Sequence, residues 1–125
     1  SPSFCSAKWL QTTLYLQNGY NHSCHHPSPH KIPIKEVQEN PAALHNSNYK
    51  KQQRIKMLNG ERPKECDACW RQEDIGVRSM RQRYNKTRTK KYLPRLDKMS
   101  DDYTMPFEIP ILESKLSNFC NLKCD

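Results

Sequence analysis

Apolar and polar positions alternate from Trp9 to Gln17, with Leu10, Thr12, Leu14 and Leu16 toward one face and Trp9, Gln11, Thr13, Tyr15 and Gln17 toward the other. That period of two, rich in β-formers, predicts a strand. It ends in Asn18-Gly19, the dipeptide suited to a type I′ turn, so the chain is expected to return as a hairpin through Tyr20 to Cys24. His25 to Pro33 carries three prolines in nine residues and reads as a loop. Asn46 or Ser47 can cap a helix over Tyr49–Leu58, stopped by Gly60, with Tyr49, Ile55 and Leu58 as its buried side. A second helix is predicted from Cys66 or Asp67 through Trp70, Val77, Met80 and Tyr84, weakened at Gly76 by about 1 kcal/mol. Residues 85–106 read as an exposed basic connector, and Phe107–Leu116, with Ile109, Ile111 and Leu112, as a final strand.

Only 34% of the 125 residues are apolar, below the roughly 45–50% of ordinary globular domains. A core that thin calls for a staple, and six cysteines are the candidates. Disulfides are one reading, of a secreted domain. No hydrophobic signal segment is seen, and the apolar runs are too short to span a bilayer. A cytoplasmic chain is therefore expected, without membrane partners, where such cysteines more often mean metal. The chain opens on Ser1 rather than Met, which leaves a removed leader open.

Cys5, Gly19 and Cys24 are spaced C-x13-G-x4-C, and Cys66 and Cys69 form C-x-x-C some forty residues later. Four thiolates suit zinc or an iron–sulfur cluster equally, so the spacing says metal without saying which. A structural zinc knuckle and scattered buried thiols are the plainer readings. His22, His25, His26 and His30 crowd around Cys24 and can ligate zinc, although the proline-rich loop argues for exposed side chains. Trp9 and Trp70 are expected to pack beside the metal. At the far end Cys120 and Cys124 are spaced C-x-x-x-C after the last strand; alone, such a pair is as readily a coincidence.

Phe4-Cys5, Gln17-Asn18-Gly19, Met57-Leu-Asn-Gly60, Pro63, Glu65-Cys66 and Cys69 together resemble the twitch domain, the shortened relative of the SPASM domain of radical S-adenosylmethionine (radical SAM) enzymes. The resemblance covers residues 4 to about 76 and then 109–124. It implies an α+β fold: a small twitch-type iron–sulfur domain of β-hairpin plus helices (1–84), a basic linker (85–106), and the first strand of a radical SAM partial (β/α) barrel (107–125). It assigns Cys5, Cys24, Cys66 and Cys69 to an auxiliary 4Fe-4S cluster. Cys120 and Cys124 go to the catalytic 4Fe-4S cluster that binds S-adenosylmethionine, whose third cysteine is expected two positions past Asp125.

The implied activity of the full-length enzyme is reductive cleavage of S-adenosylmethionine to a 5′-deoxyadenosyl radical, which abstracts hydrogen from a peptide or small-molecule substrate; an electron donor is the implied partner. The 125 residues alone are expected to be inactive. Net charge complicates this only in the middle: residues 50–98 hold 16 Lys and Arg against 6 Asp and Glu, while the whole chain carries +8. A zinc-binding module contacting nucleic acid through that stretch, with Tyr84 and Tyr92 for stacking, is the alternative. A solvated helix face is favoured over it, because no nucleic-acid motif accompanies the charge. Asn85-Lys-Thr87 also matches a glycosylation acceptor, without consequence in a cytoplasmic chain.

Overall fold

The alternating segment and its return do form a hairpin in the computed structural model of the protein, which describes residues 1–24 and 27–116. Strands β1 (Gln11–Tyr15) and β2 (Tyr20–His22) run antiparallel with Thr13 opposite His22 and Tyr15 opposite Tyr20. The turn is longer than the expected type I′. That turn needs φ > 0 at both central residues, whereas here only Gly19 lies in the left-handed region, at φ 72°. Residues 16–19 all belong to the loop, the N–H groups of Asn18 and Gly19 donate to the Tyr15 carbonyl, and the Asn18 side chain accepts from Tyr20 N–H at 3.0 Å. Leu16, assigned to the strand's apolar face, is consequently exposed in the turn. Trp9 and Leu10 instead lie in a short helix, α1 (Ala7–Leu10), buried on all four residues.

Two more strands complete a mixed four-stranded sheet in the order β3-β2-β1-β4. The loop read as free of regular structure contributes β3 (His30–Lys31), antiparallel to β2. Its prolines flank the pair rather than occupy it, so both N–H groups survive for pairing. The last strand, β4 (Ile111–Lys115), begins just past Pro110 and lies parallel to β1, Gln11 opposite Ile111 and Tyr15 opposite Lys115.

Helices α2 (Ile34–Glu39), α3 (Ala43–Asn46) and α4 (Asn48–Leu58) lead to the second half. Ser47 caps α4 by accepting from Lys50 N–H at 3.2 Å, and Gly60 follows its end at φ 82°, as the sequence indicates. The buried side of α4 is not the expected one. Lys50, Gln53, Arg54 and Met57 face inward, while Tyr49 and Leu58 are about 40% exposed. The stripe 50-53-54-57 has helical spacing, but its members are mostly polar, so hydrophobicity alone selects the wrong face.

The expected second helix is two. After a 3₁₀ turn (Lys64–Cys66), α5 (Asp67–Asp74) ends where Gly76 takes φ 77°, and Val77 is half exposed. A left-handed glycine just past a helix is a stop signal. Ser79 and Gln82 then form a capping box on α6 (Met80–Arg83), which runs into a π-helical turn (Tyr84–Arg88) and a 3₁₀ stretch (Lys90–Lys98). Residues 85–106 are therefore not simply exposed: Tyr92, Leu93, Leu96 and Met99 pack on the core, and Met105 is buried within it. That core gathers Trp9, Leu10, Met57, Trp70 and Tyr84 with Cys5, Cys24 and Cys66. The molecule is a small α+β fold, and no helix among the described residues is long and apolar enough to cross a membrane.

Candidate metal centre

The four cysteines of the C-x13-G-x4-C and C-x-x-C patterns arrive from three separate parts of the chain and line a single cavity. Cys5 sits in the turn ahead of α1, its carbonyl accepting from Lys8 N–H at 2.9 Å. Cys24 follows the end of β2 by two residues, so the hairpin delivers it. Cys66 closes the 3₁₀ turn and Cys69 lies one turn on, in the first turn of α5; residues three apart on a helix share a side. All four are free thiols and all are buried, at 6–8% exposure. They line it together with Lys8, Met80, Arg81 and Tyr84, and its volume is about 10 Å³. Among the described residues, no three His, Cys, Asp or Glu side chains are drawn close enough together to hold one metal ion.

Burial dominates the electrostatics of the cavity. It pushes the Cys5 thiol up to about 12, reinforced by Cys24 and Cys66, while the Ala7 backbone N–H and Lys8 pull the other way. Cys66 is also raised, by burial first, and the nearby Lys8 charge opposes this. With no metal bound Cys5 and Cys66 are thus held as neutral thiols, and a metal must displace their protons. Lys8 itself is 2% exposed and ion-paired with Glu65. Arg81, the second cation at the cavity, is held by Glu73 through Nε at 2.9 Å and Nη2 at 2.5 Å. Burial would raise the Glu73 carboxyl, but hydrogen bonds from Arg81 and Ser79 outweigh it and leave Glu73 below its ordinary value.

The α6 region fixes the cysteine nearest the N-terminus. Arg81 Nη1 and Asn85 Nδ2 donate to the Phe4 carbonyl at 2.7 and 3.0 Å, and Asn85 Oδ1 accepts from both Ser6 N–H and Ser6 Oγ at 2.8 Å. Cys5 lies between these two clamped residues. The side-chain amide that would mark Asn85 as a glycosylation acceptor is thereby committed inside the protein.

Other expected positions fall elsewhere. Trp9 and Trp70 are buried in the core beside the thiols, Trp9 Nε1 donating to Met99 Sδ at 3.0 Å and Trp70 Nε1 to the Pro63 carbonyl at 2.8 Å. His22 is buried rather than exposed, stacked on Tyr15 with Nε2 3.0 Å from its hydroxyl. His30 is half-buried against Tyr49, and neither histidine is among the residues lining the cavity. His25, His26, Cys120 and Cys124 lie outside the described residues. Tyr84, assigned to stacking, is buried at 1% exposure under Arg88, and Tyr92 packs on the core beneath Lys91 and Arg95. Part of the basic middle is interior as well: Lys50, Arg54 and Arg81 are all buried.

Lys8 and Arg81 were not singled out by sequence reasoning. For Lys8 a signal existed, since it follows Cys5 by three residues; for Arg81 nothing local announces the cavity. No protein-family model matches the chain, and searches of curated proteins and of solved structures find no match.

Proposed function

We propose that this chain carries the auxiliary-cluster domain of a radical SAM enzyme, with Cys5, Cys24, Cys66 and Cys69 holding a 4Fe-4S cluster. The observation that carries this reading is the convergence of four buried free thiols, from segments up to 64 residues apart, on one cavity. The donor set fits the group: four cysteine thiolates are the usual ligands of a 4Fe-4S cluster. A single zinc ion demands four sulfurs about 2.3 Å from one centre, hence about 3.8 Å from one another. The same four thiolates could take up zinc, so the preference for a cluster comes from the twitch-like pattern of the sequence.

When bound, such a cluster supplies one-electron redox chemistry. The chain's own residues supply the rest. Trp9, Trp70 and Tyr84 keep water from the thiols, while Lys8 and Arg81 bring positive charge to a site that accumulates thiolate charge. On this reading Cys120 and Cys124 belong to the S-adenosylmethionine-binding cluster and residues 107–125 to the partial (β/α) barrel. The substrate, peptide or small molecule, and the electron donor act on the full-length enzyme.

Anaerobic reconstitution with iron and sulfide tests the reading. It predicts a brown protein with broad absorbance from thiolate-to-iron charge transfer. Colourless protein that instead takes up one zinc tightly, and shifts nucleic acid in a salt-dependent manner, would favour the zinc module.

A further inference from the structure

We propose that the Lys8–Glu65 pair sets the reduction potential of the group held by Cys5, Cys24, Cys66 and Cys69, with the ammonium facing the sulfurs and the carboxylate anchoring it from behind. The inference rests on the cluster reading above and goes beyond it by assigning a role to two residues that are not ligands.

Three observations carry it. First, a lysine and a glutamate are buried together, their side chains only 3% and 6% exposed. Burying an ion pair is costly, and replacing it by apolar side chains is often neutral or stabilising, so stability alone is a weak reason for one here. Second, the pair is oriented. Lys8 lines the cavity of the four cysteines, whereas Glu65 does not, and instead borders a separate cleft with His30 and Tyr49. Third, the Lys8 ammonium has protons to give to sulfur. Glu65 is its ion-pair partner, no hydrogen bond among the described residues takes its remaining protons, and its charge acts on both Cys5 and Cys66.

A cluster on four thiolates is anionic and gains a further negative charge on reduction. Charge and hydrogen bonds to the sulfurs are among the factors that set its potential. An ammonium beside Cys66 stabilises the reduced form and raises the potential; a carboxylate set farther back lowers it, by less. The other cavity cation, Arg81, is matched by a bidentate Glu73, donates to the Phe4 carbonyl and stacks on Trp70 at 5.0 Å, so its N–H groups are already engaged. Lys8 is thus the cavity cation whose protons remain free to meet a sulfur.

Redox titration of the reconstituted full chain, in a background of Cys120→Ser and Cys124→Ser, reads this directly. Lys8→Gln is expected to weaken the reduced state about tenfold relative to the oxidised one, a downward shift of about 59 mV for a one-electron couple. Glu65→Gln is expected to shift the potential upward, and Lys8→Arg to stay near wild type. Because each single change leaves a buried partner alone, the paired Lys8→Met/Glu65→Leu variant is measured too. It is expected to shift downward, since the nearer charge and its N–H are lost. A merely structural pair would move none of these potentials, or move both single variants the same way, and either result overturns the inference. If the wild-type chain takes up no cluster, the reading of the site itself has failed, which is a different outcome from an unmoved potential.

Discussion

Arg54→Met should come close to unfolding this protein. Arg54 is fully buried in α4 and donates four hydrogen bonds: Nε to the Lys8 carbonyl at 2.9 Å, Nη1 to Asn46 Oδ1 and the Tyr103 carbonyl at 2.8 Å, and Nη2 to the His45 carbonyl at 2.9 Å. These acceptors belong to α1, α3 and the segment before β4, so one side chain ties together three separate pieces of the chain. Methionine fills much of the volume but leaves three backbone carbonyls without these donors. Asn46 Oδ1 keeps a partner in Met105 N–H at 2.8 Å. An orphaned buried acceptor costs about 1–3 kcal/mol, so three cost about 3–6 kcal/mol after partial relaxation. Small domains have only about 5–15 kcal/mol to lose. Urea titration followed by tryptophan fluorescence should show the midpoint collapsing while the slope of the transition holds. Arg54→Lys, able to reach only some of the acceptors, should fall between. A loss under about 1 kcal/mol in Arg54→Met would refute the claim that this polar network, rather than apolar burial, organises the interior.

Further expectations follow from the same interior. His45 is buried with Nε2 3.0 Å from the Trp9 carbonyl and Nδ1 2.6 Å from Thr12 Oγ1, which also accepts from Lys50 Nζ at 3.1 Å. Burial first, then Arg54 and Lys50, lowers its pKa from 6.5 to about 3, so the folded protein keeps it neutral while the unfolded chain protonates. Stability from His45 is therefore intact above pH 6.5 and lost as pH falls toward 3, by about 2 kcal/mol at pH 5; urea midpoints at pH 7 and pH 5 measure it, and a flat profile contradicts it. Asn85→Ala should cost about 2 kcal/mol by orphaning Ser6 N–H, and should speed iron release from reconstituted protein, because Cys5 sits between the residues Asn85 clamps. Unchanged release kinetics would separate Asn85 from the site. Gly76→Ala should cost about 1 kcal/mol through backbone strain alone, since no atom lies within 4 Å of the added methyl; thermal unfolding tests it.

The hairpin, the Ser47 cap and the Gly60 stop were legible because each rests on a local rule, a period of two, a hydroxyl acceptor or a left-handed glycine. The buried face of α4 was not. Its inward residues are Lys50, Gln53 and Arg54, and a pattern search that equates buried with apolar selects Tyr49 and Leu58, which are on the other side. The same blindness hid the interior character of the 84–99 region, where Tyr84 and Thr89 are buried among a run of lysines and arginines. For the candidate site, Cys5, Cys24, Cys66 and Cys69 were legible from spacing, since a hairpin and a helix start converge cysteines predictably. The charges around them were not, because Lys8 meets Glu65 only after the 56 intervening residues have folded, and Arg81 meets Glu73 only when Gly76 turns α5 back toward α6.

The count of iron and acid-labile sulfide bound per chain tests the central claim most directly, measured after anaerobic reconstitution of the Cys120→Ser/Cys124→Ser variant and after each of Cys5, Cys24, Cys66 and Cys69 is changed to alanine. The account predicts about four iron and four sulfide per chain in that background, with a sharp loss for every one of the four alanine variants. Binding of a single metal without sulfide, or full cluster content retained in any of the four, would contradict it.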